Sequence, residues 1–130
     1  MMYRISTLLL ALLIVTGVSA GVNVGSLTTE GLVCPLNVET PNPRLSWIIT
    51  SSDRDVMQTA YHILVASSPE KLAAGQGDIW NSGKVFSDRS VWVEYTGPKL
   101  ADNTRCYWKV KVSTTRGDSS WSPQAEWGMG

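Results

Sequence analysis

From residue 21 onward the chain alternates apolar and polar positions with the two-residue rhythm of β-strands. Arg105 to Val112 is the clearest stretch: Cys106, Trp108, Val110 and Val112 fall on one face and Arg105, Tyr107, Lys109 and Lys111 on the other. That pattern predicts an antiparallel strand covered on one side only. Gln58 to Ala66 differs, because Tyr61, Ile63 and Val65 oppose Ala60, His62, Leu64 and Ala66, so both of its faces need cover. Ser90 to Tyr95 sets Val91, Val93 and Tyr95 against Trp92 and Glu94. With further strands expected near Val22 to Leu27, Arg44 to Thr50, Trp80 to Phe86 and Ser120 to Trp127, the count is seven. Turn chemistry separates them at Pro41-Asn42-Pro43, Ser51-Ser52-Asp53, Asn81-Ser82-Gly83, Thr96-Gly97-Pro98 and Arg116-Gly117-Asp118. The one helix expected after residue 20 is a short turn from Pro69 to Ala74, capped by Ser68 with Pro69 at its first position. The sum is an all-β fold, an immunoglobulin-like or fibronectin type III-like sandwich of about seven strands.

The first 20 residues belong to a different pattern. Arg4 precedes an apolar run from Leu8 to Val15, and Val18-Ser19-Ala20 places small residues ahead of Gly21. A basic start, a short apolar stretch and a small-residue cut site are the marks of a secretory signal peptide, expected to be cleaved after Ala20. The competing reading, a membrane anchor, requires about 20 predominantly apolar residues, and this run is shorter. Residues 21–130 are then one domain, exported to a secreted or periplasmic location, with no membrane span left.

Composition adds two constraints. Eleven Lys and Arg balance eleven Asp and Glu, and the cations are scattered singly from Arg4 to Arg116. A phosphate-binding face needs a basic excess or stripe, so nucleic acid is excluded as a partner. Six tryptophans against one phenylalanine point either to a core built on large rings or to rings that stack on flat ligands. Trp47, alternating with Ser46 after Pro43, and Trp108, between Cys106 and Val110, are expected inside. Trp80 reads as a plug at one end of the sandwich, with a sugar platform as the alternative. Trp121 is placed to stack on Lys109 or Lys111, a contact worth about 0.5–1 kcal/mol at an exposed site. Export would put Cys34 and Cys106 where a disulfide can form; two unpaired, partly buried thiols are the alternative.

No motif in the sequence assembles a catalytic site. Gly75, Gly77 and Gly83-Lys84 miss the phosphate-loop spacing, and Val85 stands where a magnesium-binding hydroxyl is required. His62, the only histidine, lies in an apolar strand with no Cys, Asp or second His beside it. Asp53 and Asp55 bracket Arg54 in a turn and read as solvated, whereas glycoside hydrolysis needs two facing carboxylates. No catalytic, cofactor-binding or metal-ligating residue is expected.

Five segments in order carry a family resemblance: Asn42-Pro43-Arg44-Leu45-Ser46-Trp47, Gln58 to Ser67, Asp78 to Val85, Tyr107-Trp108-Lys109-Val110, and Trp121-Ser122. Together they resemble the N-terminal domain of bacterial α-L-rhamnosidases, glycoside hydrolase family 78. The resemblance implies a fibronectin type III-like sandwich preceding carbohydrate-binding β domains and an (α/α)6 barrel that carries the acid and base carboxylates. None of those carboxylates has a counterpart here. Cys106-Tyr107 departs from the aromatic pair that the family commonly has before Trp108, so a thiol replaces the ring expected at the start of that strand and the usual tyrosine-corner anchor is not assured. The resemblance also implies partners: the downstream domains of a glycoside hydrolase, with a rhamnose-containing glycan as a second candidate. Trp92, facing away from Val91 and Val93, and Trp127 near Gly130 are the rings expected to meet those partners.

Overall fold

The computed structural model describes residues 21–130, so the expected signal peptide lies outside the described residues. The strands are β1 (Val22–Thr29), β2 (Arg44–Ser51), β3 (Gln58–Ala66), β4 (Trp80–Asn81), β5 (Val93–Glu94), β6 (Arg105–Thr114), β7 (Gly117–Asp118) and β8 (Ala125–Gly128), with helix α1 (Pro69–Ala73) after β3. One sheet runs β1-β2-β5; the other runs β4-β3-β6, with β7 and β8 both pairing along the far side of β6. Every strand pair is antiparallel, as the sandwich reading requires.

β6 follows its sequence pattern to the residue. Cys106, Trp108, Val110 and Val112 are buried between the sheets, while Arg105 is exposed and Tyr107, Lys109 and Lys111 are half-buried. Leu45 and Trp47 of β2 meet them from the opposite sheet, and Ile63 and Val65 of β3 and Trp127 of β8 join them from their own sheet. β3 buries both faces, as its doubly apolar sequence demands. Its outer residues Leu64 and Ala66 pack with Leu72 of α1, and Tyr107 and Trp121 complete that smaller cluster. α1 starts as expected: the Ser68 hydroxyl accepts the Lys71 N–H at 3.2 Å, and Pro69 opens the first turn.

Four expected strands differ, each for a local reason. In β1 the register shifts between Gly25 and Thr28, with Ser26 at φ 50, so the buried positions pass from Val24 to Leu27 and Thr29. A bulge of this kind inserts a residue and resets the alternation. The expected Trp80–Phe86 strand is cut to Trp80–Asn81 because the Ser82 hydroxyl accepts the Ile63 N–H at 2.8 Å and Gly83 turns to φ 66; pairing resumes only at the Tyr61–Val85 bridge. The expected Ser90–Tyr95 strand is cut to Val93–Glu94 because Trp92 lies at φ 56 and gives its N–H to the Ser46 hydroxyl at 3.0 Å. The alternation reverses there, which leaves Val91 53% exposed rather than inside with Val93 and Tyr95.

The last expected strand, Ser120–Trp127, is regular only from Ala125. Before it, the Ser119 and Ser122 hydroxyls accept the Val112 and Val110 N–H groups, at 2.9 and 3.0 Å, while their own N–H groups bond back to the carbonyls of Val112 and Val110. The chain thus runs along β6 without a regular ladder. The Arg116-Gly117-Asp118 turn itself contributes β7, which makes eight strands among the described residues instead of seven.

Cys34 and Cys106 are both free thiols, Cys34 exposed and Cys106 buried. The disulfide alternative is thus not realised. Cys106 sits directly across from Trp127 in the β6–β8 ladder, so its small side chain faces the position where the indole enters the core. Tyr95, fully buried, donates its hydroxyl hydrogen to the Pro98 carbonyl.

The sheets and the β4–β5 loop are joined by one buried amide. Gln58 Oε1 accepts the Trp47 indole N–H at 3.0 Å, and Gln58 Nε2 donates to the carbonyls of Ser87 and Arg89 at 3.0 and 2.7 Å. By contrast the Trp108 indole N–H is buried without an acceptor. Trp108→Ala is expected to cost about 3–5 kcal/mol, as other large core truncations do, measured by urea unfolding; a variant that melts within a degree or two of the parent would reverse the face assignment of β6. Gln58→Leu should cost about 1–3 kcal/mol by stranding the Trp47 donor, and parental stability would show that this bond is dispensable.

The two thiols should also separate chemically. Burial pushes the Cys106 thiol up to about 12, so it stays protonated at pH 8 and out of reach of reagents that attack thiolates. The native protein is expected to take up a single equivalent of a thiol reagent, at Cys34, with Cys106 reacting only after denaturation. Mass spectrometry of the labelled peptides reads this directly, and labelling of Cys106 in the native state would contradict its burial.

Candidate functional site

A groove lies where the edges of the two sheets come together. It has a volume of about 530 Å³ and is lined by Tyr61 of β3, Trp80 of β4, Val93 and Glu94 of β5, and Arg89 of the β4–β5 loop, with Ser82, Val85 and Thr96. The local chain explains the arrangement. Gly97 packs so tightly that a Cβ there would lie 2.7 Å from Tyr95 Cζ and 2.8 Å from Trp80 Cγ, so only glycine lets the chain pass over the two rings. Trp80 stands edge-on to Tyr95 with ring centroids 5.1 Å apart, half-buried at the groove wall. It is thus both the plug expected from the sequence and a ring bordering the groove.

Tyr61 forms the opposite aromatic wall, edge-on to Trp47 at 5.3 Å. Burial raises its hydroxyl above the ordinary tyrosine range, and the nearby Arg89 charge opposes that rise. Arg89 is held in place by its own loop, since its guanidinium donates to the Trp92 carbonyl at 2.8 Å. The groove therefore offers two rings, one guanidinium, one carboxylate and three hydroxyls, counting that of Tyr61. A sugar ring or a peptide side chain matches such a set; the paired carboxylates of a glycosidase centre are not assembled from it, because Glu94 is the one acidic residue of its lining.

The other residues singled out from the sequence lie elsewhere. Asp53 and Asp55 are in the exposed bend after β2, away from the groove lining. His62 Nε2 lies 2.7 Å from Asn81 Oδ1, and the imidazole packs edge-on to Trp121 with centroids 5.2 Å apart. Lys109 and Lys111 both place their ammonium groups 5.0 Å from the centroid of Trp121, so the expected single stacking contact is a pair. Among the described residues no group of three or more His, Cys, Asp or Glu is placed to hold a metal ion, and no helix is long and apolar enough to cross a membrane.

Of the two rings expected to meet a partner, Trp92 is 41% exposed and lies under the Arg44 guanidinium, 4.5 Å from the ring centroid. Arg44 is itself clamped by Glu30, whose carboxylate accepts from both the side chain and the backbone N–H of Arg44, and those hydrogen bonds hold the Glu30 carboxyl below the usual range. Trp127 is not available at all. It is fully buried, packs edge-on to Tyr95 and donates its indole N–H to Met129 Sδ at 3.4 Å. Nearness to residue 130 suggested an exposed ring; the pairing of β8 with the first half of β6 turns it inward instead.

Comparison with known proteins agrees with this architecture. Residues 24–130 match the family of Rha78A-like, N-terminal immunoglobulin domains. An α-L-rhamnosidase of Formosa agariphila is 45% identical over 97 residues, 74% of this chain and 10% of that protein. One from Streptomyces avermitilis is 40% identical over 112 residues, 85% of this chain and 11% of that protein. The crystal structure of a Streptomyces avermitilis α-L-rhamnosidase complexed with L-rhamnose superimposes with a TM-score of 0.80 at 41% identity, covering 84% of this chain and 10% of the other. The α-L-rhamnosidase of Dictyoglumus thermophilum superimposes with a TM-score of 0.78 at 32% identity, over 81% of this chain and 12% of the other. The chain spans about a tenth of the length of the curated relatives it matches. With its two antiparallel sheets, its ring-lined core and a family match that runs from β1 to Gly130, the chain belongs to the Rha78A-like N-terminal immunoglobulin domains.

Proposed function

We propose that this chain is the non-catalytic accessory module of an α-L-rhamnosidase-like glycoside hydrolase, acting in glycan degradation after export and packing against the domains that follow it. The observation that carries the reading is the extent of the match. The sandwich accounts for most of this chain and for about a tenth of each rhamnosidase, so a role in positioning or stabilising the larger remainder suits it. The composition of the groove supports the same reading: with Glu94 as its one carboxylate, it offers no acid and base pair for the inverting or retaining route. The run from Leu8 to Val15 ahead of Val18-Ser19-Ala20 supports secretion or a periplasmic location.

A carbohydrate-binding role is the second reading, and the groove walled by Trp80 and Tyr61 is the observation in its favour. The two readings respond differently to ligand. Purified protein is expected to release no rhamnose from aryl rhamnosides, and rhamnose or rhamnose-containing oligosaccharides at millimolar concentration should leave tryptophan fluorescence and amide chemical shifts unchanged. Turnover that is lost on Glu94→Gln would overturn the non-catalytic reading. Saturable shifts at Trp80 and Tyr61 on adding sugar would make carbohydrate binding the better account.

A further inference from the structure

The segment that follows β1 carries a surface feature that the fold itself does not use. Thr29 and Leu32 close a tight turn through Glu30 and Gly31, both at positive φ, with reciprocal backbone hydrogen bonds of 2.9 and 3.0 Å. Beyond it the chain presents five consecutive residues with almost no polar side-chain surface, Leu32-Val33-Cys34-Pro35-Leu36. Leu32, Val33 and Leu36 are 59%, 78% and 61% exposed. A contiguous apolar run on the outside of a small domain is unfavourable in water and ordinarily marks a contact surface. The large exposed rings elsewhere are partly shielded, Trp92 by Arg44 and Phe86 by Lys84 at 5.3 Å. The aliphatic run has no such cover, and beside it a cleft of about 240 Å³ extends the apolar surface over Leu27, Pro123 and Ala125.

The position of the run says what covers it. The Pro35 carbonyl accepts the Gly128 N–H at 2.8 Å, the Val38 N–H donates to the Gly128 carbonyl at 2.9 Å, and the Gly130 N–H donates to the Val38 carbonyl at 2.8 Å. The run is thus tied to β8 through Pro35, and Val38, two residues beyond it, is tied to Gly128 and Gly130. In the rhamnosidases, about ten times longer, the matching domain is N-terminal, so their polypeptide leaves the sandwich along the equivalent of β8, beside the equivalent of this run. A short tether raises the local concentration of whatever follows far above that of any free partner. The surface is also wrong for a glycan, since Leu, Val and Pro offer no aromatic face to a sugar ring.

We propose that the face formed by Leu32, Val33 and Leu36 is the seat of the next domain in an α-L-rhamnosidase chain, received through an aliphatic patch on that domain. This rests on the accessory reading above and names the surface that serves it, in place of Trp127, which the core absorbs, and of Trp92, which Arg44 covers.

Hydrogen exchange tests it, comparing the chain alone with the same chain joined at Gly130 to the remainder of the Streptomyces avermitilis α-L-rhamnosidase. The amides of Val33, Cys34 and Leu36 should exchange at least tenfold more slowly in the joined protein, while those from Arg89 to Trp92 keep their rates. Val33→Asp with Leu36→Asp should restore fast exchange in the joined protein and leave the melting temperature of the chain alone unchanged, because both side chains are outside its core. Slowing at Arg89 to Trp92 with none at residues 33–36 would overturn the proposed surface and leave the accessory reading standing. No slowing anywhere would remove both. Concentration-dependent slowing at residues 33–36 in the chain alone would assign the face to a second copy of this chain, and so overturn the proposal.

Discussion

The amide of Gln58 is the constraint around which the sandwich is organised. Trp47 brings an indole N–H into the space between the sheets, where an unpaired donor costs about 1–3 kcal/mol, and Gln58 Oε1 is the acceptor that meets it. The other end of the same amide holds the Ser87 and Arg89 carbonyls. One side chain of the second sheet thereby fixes the central ring of the first sheet and the loop that crosses between them. That loop carries Arg89 into the groove and leads to Trp92, Val93 and Glu94, so the shape of the groove follows from a hydrogen bond made on the far side of its wall.

The two faces of β3 divide the remaining work. Its inner face joins Trp47, Trp108 and Trp127 in the main core; its outer face would be an apolar surface in water without α1. A helix of five residues is far too short to be stable alone. It persists because Ser68 and Pro69 fix its start and because Leu72 is buried against Leu64 and Ala66. Beside it Trp121 is flanked by Lys109, Lys111 and His62. Cations over rings recur at Trp92 and Phe86, so the outer aromatic surface of the domain is largely matched to charge. The Leu32–Leu36 run has no such charge over it, and its Pro35 carbonyl accepts the Gly128 N–H of β8.

A good part of this was legible in the sequence. Strict alternation gave the faces of β6 and both faces of β3, since the period of a strand depends on the backbone alone. The core positions of Trp47 and Trp108, the cap at Ser68 and the stacking of Lys109 and Lys111 on Trp121 followed from spacing, and five ordered segments gave the family. These features share one property: each depends on residues a few positions apart, or on residues facing a neighbour that the pattern already names.

What only the tertiary structure decided depends on competition between distant groups for the same hydrogen bond or the same space. Ser46 captures the Trp92 N–H, Ser82 captures that of Ile63, and Ser119 and Ser122 capture those of Val112 and Val110; each hydroxyl breaks a ladder that alternation alone predicts to continue. A serine in the sequence does not say whether its hydroxyl will face solvent or replace a carbonyl, because the answer belongs to the strand across from it. The burial of Trp127 is decided in the same way, by the small thiol of Cys106 opposite and by the pairing that draws β8 onto β6. The pattern of one strand sets which side chains share a face, and the partner strand determines whether that face is kept.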